Sequence, residues 1–509
     1  MKELNHGIKW TLAAVLLAGI TAVPAFAEKT TPATNKNSAV PAVPRAIPDL
    51  IPYHKFDPPK SKLFDINKLT ISGDLRVRPE FRNNGTFGIG AKNNTFMVQQ
   101  WARLGFNYSI SPDVTFFFQA QHSKNWGVAL NGDAGQPNRV GTDANATSGT
   151  LFARQAFMLV RNFLVPNLTI KAGRQLVVWG NHRMFGHFDW NNVGWTHDGL
   201  TANYKLSKTA NLQVGWLRTQ EGDCRFVTAG NCIGPSQTAG NVAATSDADV
   251  IYVRAPMKVA GMVLEPTYIW HSSGTGTPGG TNARPSDQSR HTLGGRAVKK
   301  AAVGSARLDA TIEGYYQFGE IADRTGGCAG RCLDIQAYAF HIDGGLTLPV
   351  PMQPRLSLEY NTASGEQAGD DEFGGFDQLY PTNHIHFGYM DRMSWKNMNH
   401  YAIGLQMRPN KNSHFEVTGH FFSLKEGDDN LYHAGQSALG FVSANGASST
   451  EIGEEIDVVY THFFTPGNHV AWQIGGSVFL PGARMDQAAG AGRSASEQTW
   501  GYTQLWVNF

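Results

Sequence analysis

The chain has 509 residues, with 41% hydrophobic and 17% charged types and a mean hydropathy of -0.29. A bundle of membrane-spanning helices is excluded, because no apolar run beyond the amino terminus approaches the ~20 residues that a spanning helix needs. The formal net charge of +2 supplies no global field to draw in a polyanion such as nucleic acid, so any charge selectivity has to be local.

The amino terminus reads as an export signal. Lys2 and Lys9 lead into an apolar run from Trp10 to Val23, and Ala25-Phe26-Ala27 is the small-x-small pattern that signal peptidase cuts. Residues 1–27 are expected to leave with a cut before Glu28, and since position 28 is not Cys, no lipid anchor follows the cut. Residues 28–62 hold Pro32, Pro41, Pro44, Pro48, Pro52, Pro58 and Pro59 among small and polar residues. That composition opposes both helix and sheet and reads as a periplasmic lead-in.

From residue 63 to 509 strand-like runs alternate with connections, and the connections alternate between short and long. Short ones fall near Ser111-Pro112-Asp113, 164–167, Ser207-Lys208-Thr209, 258–260, Val303-Gly304, Pro349-Val350-Pro351, 410–412 and Thr465-Pro466-Gly467. Long ones fall near 83–95, 124–150, 180–194, 221–246, 273–289, 319–332, 366–396, 425–452 and 481–496. Tight turns at one end and long loops at the other are what an antiparallel barrel in the outer membrane requires. The expected fold is therefore all-β: a transmembrane antiparallel outer-membrane β-barrel of about 18 strands, both termini in the periplasm, surrounded by outer-membrane lipid and inserted by the barrel assembly machinery. A barrel of this size leaves an aqueous lumen. Pro79 and Pro266 fall inside strand runs, where the missing donor predicts a bulge or a strand end. At the carboxy terminus Thr503, Leu505, Val507 and Phe509 share one face, with Tyr502, Gln504, Trp506 and Asn508 on the other, as in a closing strand ending on an aromatic residue.

Strand parity sorts the charges. In the first strand Ile71, Gly73, Leu75 and Val77 lie on one face, and Asp74, Arg76, Arg78, Glu80 and Arg82 on the other. Only the lumen accommodates the charged face, because Arg turned to lipid at mid-bilayer is strongly destabilising. The same sorting turns Arg103, Arg254, Arg307, Arg355 and Arg408 inward, together with Glu265, Asp309, Glu313, Glu359, Glu416 and Asp457. The lumen is expected to be polar and mixed in sign, its charges either lining a path or bracing the wall as ladders.

Two segments carry a specific likeness: Gly173-Arg174-Gln175 with Trp179 to Val193, and Phe376 to His384 continuing to Gly388-Tyr389-Met390-Asp391. They resemble the motifs of the alginate export family, and the likeness extends over nearly all of the chain beyond the leader. The resemblance implies a monomeric outer-membrane porin whose arginine-rich constriction passes the polyuronate alginate to the cell surface, working with a periplasmic polysaccharide-secretion complex. On that basis Arg174 and Arg183 become pore candidates beside Arg76, Arg78, Arg82, Arg103, Arg254, Arg307, Arg355 and Arg408. Arginine suits the task, because its planar fork takes a carboxylate in two parallel hydrogen bonds and keeps its charge.

The motif-bearing loops are expected either to fold into the barrel as a plug or to pack on themselves outside. His182, His187, His384 and His386 lack a carboxylate at ligand spacing, so neither a metal nor another cofactor is expected. Cys224 and Cys232 lie in one long loop, and Cys328 and Cys332 in another. In an oxidising exterior they are expected to pair locally, 224 with 232 and 328 with 332. No catalytic constellation appears: His271-Ser272-Ser273-Gly274 lacks the glycine-flanked serine elbow, and Gly88-Ile89-Gly90 lacks a phosphate-loop Lys. The function expected is thus a channel for an anionic polysaccharide, with a diffusion porin for small anionic or polar solutes as the alternative.

Overall fold

A computed structural model describes residues 65–89, 94–126, 150–220, 227–228, 231–232, 248–273, 288–322, 332–367, 371–439, 449–464, 469–490 and 492–509. The expected leader and the lead-in over 28–62 lie outside these residues. The chain forms a closed antiparallel barrel of 18 strands. They are β1 Leu69–Asn83, β2 Thr95–Ser109, β3 Val114–Asn125, β4 Thr150–Val160, β5 Leu168–Gln175 and β6 His197–Lys205. Next come β7 Asn211–Gln220, β8 Ala248–Arg254, β9 Met262–Ser273, β10 Gln288–Val303, β11 Ala306–Ala322 and β12 Cys332–Thr347. The ring finishes with β13 Arg355–Ala363, β14 Met398–Met407, β15 Ser413–Ser423, β16 Glu451–Phe463, β17 Val470–Pro481 and β18 Gln498–Asn508.

Each strand pairs with the next, and β18 pairs with β1 from Asp74 opposite Asn508 to Asn83 opposite Thr499, so closure leaves no open edge. Phe509 completes the seam: it and Gly73 exchange both backbone hydrogen bonds at 2.9 Å. Both prolines mark breaks, as expected. Pairing of β1 with β18 lapses at Arg78 and Pro79, between Val77 opposite Leu505 and Glu80 opposite Tyr502. Pro266 lies beside an interruption of β8 at Ala255 and Pro256, after which that edge resumes as Met257–Val259.

Alternation along the strands divides the wall into two chemistries. Ile71, Leu75, Leu104, Phe116, Leu293, Ile312, Leu358 and Ile403 are exposed on the outer face. Arg76, Arg103, Gln121, Glu313, Asn361 and Glu359 are buried on the inner face. An apolar belt outside a polar interior is the signature of a barrel set in lipid, which places the protein in the outer membrane of a Gram-negative bacterium. The short connections join strands at the end where β1 begins and β18 finishes, the arrangement expected of the periplasmic side, and the long connections leave from the opposite end.

The lumen is not an open tube. The connection from β5 to β6, residues 176–196, and the described parts of that from β13 to β14, residues 364–367 and 371–397, turn inward and pack on each other. Trp179, Met184, Phe185, Phe188, Trp190 and Trp195 of the first join Phe376, Leu379, Tyr380, Phe387, Met390 and Trp395 of the second in one buried cluster. Of the two arrangements the sequence allowed for these loops, the structure takes the plug.

Candidate functional site in the barrel lumen

The first inward loop owes its path to what it shares with the second. Phe185 and Tyr380 form a parallel bridge, in which Gly186 N–H donates to the Tyr380 carbonyl at 2.8 Å and Tyr380 N–H to the Met184 carbonyl at 3.0 Å. Thr382 N–H donates to the His182 carbonyl at 2.9 Å, and Phe188 N–H to Thr382 Oγ1 at 3.0 Å. Gly186 is required here, since a Cβ would run into Thr382 Oγ1. Side chains also cross the junction: Trp195 Nε1 donates to the Pro381 carbonyl at 2.9 Å, and the His384 ring stacks on Trp190 at 3.8 Å.

One end of the first loop rests on the wall of β1 to β4. Arg103 grips Asp189 in a two-point fork, Nη1 to Oδ2 and Nη2 to Oδ1, both at 2.9 Å. Arg154 Nη2 also donates to Asp189 Oδ1. Arg76 Nη1 donates to the Asp189 carbonyl at 2.6 Å and its Nη2 to Asn192 Oδ1 at 3.1 Å. Arg78 Nη1 takes the Trp190 carbonyl at 2.6 Å while its guanidinium lies 3.7 Å from the centre of that indole. Trp101 is flanked by Arg76 at 3.6 Å and Arg103 at 3.7 Å. Burial works to raise the Asp189 carboxyl, but Arg103 and Arg154, with His187, hold it well below the usual carboxylate range.

Near the other end of the same loop the signs are reversed. Arg183, itself part of the loop, enters the acidic wall of β11 to β13. Its Nη2 donates to Glu359 Oε1 at 2.9 Å and its Nη1 to Asn361 Oδ1 at 3.0 Å, and its Nε lies 3.6 Å from Glu313 Oε2. The second loop is tied to the wall too. Asp377 exchanges hydrogen bonds with Gln317 at 2.7 and 2.9 Å, and the Tyr389 and Met390 amides donate to Asp457 and Glu455 at 3.1 and 2.8 Å.

The structure sorts the ten sequence-derived arginines. Arg76, Arg78, Arg103 and Arg183 converge on the inward loops, and Arg82 joins them by donating to the Met390 carbonyl at 3.1 Å. Arg254 faces inward but pairs with wall and loop groups, donating to Gln213 at 2.9 Å and lying 4.7 Å from the Trp179 ring centre. Arg355 forks onto Asp309, with Nη2 to Oδ1 at 2.6 Å and Nε to Oδ2 at 3.0 Å, as a wall ladder. Arg307 and Arg408 sit at the periplasmic rim, where Arg307 donates to Gln353 at 3.2 Å. Arg174 departs from expectation. It lies opposite Ala156, on the outward face of β5 near the extracellular rim, and pairs with Asp198 at 3.1 Å. The motif that suggested it precedes the point where the loop turns inward, and strand parity there sends its side chain outward.

Arg154 and Asp189 are the members sequence reasoning missed. Arg154 is the extra residue of a bulge: Gln119 faces Gln155, the next pair is Ala120 with Ala153, and the residue between is re-aimed into the lumen. A parity count cannot see that irregularity. Asp189 stands inside the quoted motif, but nothing local marks it as the partner of arginines on other strands. Among the described residues no group of three His, Cys, Asp or Glu side chains is placed to hold a metal ion. The loop histidines serve packing and hydrogen bonding instead, His386 Nε2 meeting the Asn181 carbonyl at 2.7 Å. Cys332 is disulfide-bonded. Cys224, Cys328 and the Cys232 side chain lie outside the described residues, so the local pairing stands as a proposal.

Comparison with known proteins adds a family and a fold. The alginate export family model matches residues 67–499. No curated protein matches the chain. Among solved structures it is similar to OpdK of Pseudomonas aeruginosa, determined with vanillate, at 11% identity and a TM-score of 0.53, over 86% of this chain and 99% of that one. OccAB2 of Acinetobacter baumannii aligns at 8% identity and a TM-score of 0.57 over 88% and 99% of the two chains. OccAB1 of the same organism aligns at 15% and 0.53 over 86% and 96%. At such identities the likeness is one of fold.

Proposed function

The chain belongs to the alginate export family, and we propose that its barrel passes an anionic polysaccharide, alginate or a similar polyuronate, from the periplasm to the cell surface. Whatever the substrate, the family and the porin fold support an outer-membrane channel. The observation that carries the finer reading is the convergence of Arg103 and Arg154 on one carboxylate inside the lumen, Arg103 in a two-point fork, with Arg76 beside them on the backbone carbonyl of the same residue. Two guanidiniums fixed on one carboxylate position, with a third at its side, are suited to the carboxylate of a uronate unit.

A porin for small carboxylates is the second reading, favoured by the inward loops that fill the lumen. OpdK, of similar fold, was solved with vanillate, itself a small carboxylate. Planar-bilayer recording separates the two. An exporter is expected to be anion-selective and to have its current blocked by long polyuronates added on the periplasmic side. A porin would pass monomeric carboxylates and show no dependence on chain length, and cation selectivity would end both readings. Insertion by the barrel assembly machinery, docking of a periplasmic secretion complex and a monomeric state belong to the same proposal. Co-purification from cross-linked envelopes and the mass of the detergent-solubilised protein test them.

A further inference from the structure

The β1 to β4 wall offers Asp189 more donors than one carboxylate uses. Arg154 Nε and Nη1 and Arg76 Nε are buried without a hydrogen-bond partner among the described residues. A buried N–H left unmade costs free energy, so the present occupant under-fills the cradle. Nor is that occupant sealed in: the Asp189 side chain retains 16% exposure, against 1% for Arg103 and for Arg154. Its attachment is thus a carboxylate, carried on a loop, in a site built for carboxylates and still within reach of the lumen.

We infer that Asp189 is a tethered competitor, occupying an arginine cradle whose external ligand is the carboxylate of a transported acid, and that exchange of one carboxylate for the other frees this end of the first inward loop. This rests on the reading of the protein as a channel for anionic solutes. The cradle keeps its shape through the exchange, because Trp101 is flanked by the Arg76 and Arg103 guanidiniums and donates its Nε1 to Asp74 at 2.7 Å. The Arg183 end stays attached. Its partners Glu313 and Glu359 are buried and would be left uncompensated, whereas a displaced Asp189 carboxylate passes into water. No covalent bond changes; one ion pair replaces another.

The test uses the full chain in planar bilayers with galacturonate as probe and galactose as neutral control. In the wild type galacturonate is expected to raise the average current in a saturable way, and galactose to leave it unchanged. Asp189→Asn, which keeps the shape and removes the charge, should start from a resting current several-fold higher. Galacturonate should then block this variant instead of opening it. Arg103→Gln should also start higher but resist block, since the cradle has lost its fork. Heat-shifted gel mobility establishes that each variant is folded. A second readout needs no variant: galacturonate should speed hydrogen exchange of amides 187–193 in the wild type while amides beside Arg183 stay protected. A wild-type resting current and opening response in folded Asp189→Asn, or exchange unchanged by galacturonate, overturns the inference. If the wild type is nonetheless anion-selective, the channel reading survives that result; if the wild type selects cations, both fall together.

Discussion

The first inward loop meets two walls of opposite sign. On β1 to β4 the barrel presents Arg76, Arg78, Arg103 and Arg154, and the loop answers with the Asp189 carboxylate and two backbone carbonyls. On β11 to β13 the barrel presents Glu313 and Glu359, and the loop answers with Arg183. Reversing the loop would bury like charge against like, so the two walls together orient the plug. They also differ in closure: the Arg183 side chain is 2% exposed and Asp189 16%. The acidic wall holds a fixed end, and the basic wall a releasable one.

That difference breaks most sharply at the fixed end. Arg183→Ala leaves two buried carboxylates uncompensated and is expected to cost about 3–5 kcal/mol, read as a fall in the urea midpoint of the barrel in lipid vesicles. An unchanged midpoint would mean that this end is as loose as the other. Asp189→Ala should cost less, about 2–3 kcal/mol, because the guanidiniums keep Asp74 and Glu80 beside them. A cost equal to that of Arg183→Ala would erase the distinction.

At the junction between the loops, Gly186→Ala forces a Cβ against Thr382 and should cost about 1–2 kcal/mol, visible as faster exchange of the amides that form the Phe185–Tyr380 bridge. Acidification sharpens the comparison further. The Asp189 carboxyl is depressed, so its attachment is fully present above the ordinary carboxylate value near 4 and fades only as pH falls through its lower folded value. Resting conductance in the wild type should therefore be flat from about pH 8 to pH 5 and rise only under stronger acid. Asp189→Asn should lack that rise; its persistence in the variant would point to another group. The smallest effect belongs to Arg174→Ala. This outward, partly solvated pair with Asp198 should change stability by less than about 1 kcal/mol and leave ion selectivity unaltered. A loss of anion selectivity would return Arg174 to the pore.

The barrel was legible because its rules are local. The short turns, the long loops, the apolar outward face and the closing strand all follow from period-two alternation between lipid and water, which every strand states separately. Inward placement of Arg76, Arg78, Arg103 and Arg254 followed from the same count. The count failed where alternation itself fails, at the bulge that turns Arg154 inward, and the loop likeness misled at Arg174, one residue before β5 ends.

What the sequence determined alone is the all-β class, the outer-membrane setting, the placement of charge on the inner face and the family, since each depends on residues close together in the chain. What only the tertiary structure decided is the use of those charges. Asp189 lies far along the chain from Arg76, Arg103 and Arg154, and Arg183 from Glu313 and Glu359, and only ring closure together with the inward turn of the loop brings them together. Strand parity could say that the lumen was mixed in sign. That the arginines of one wall grip a loop carboxylate, and the acids of another a loop arginine, depended on two long loops turning inward to bury their aromatic residues against each other.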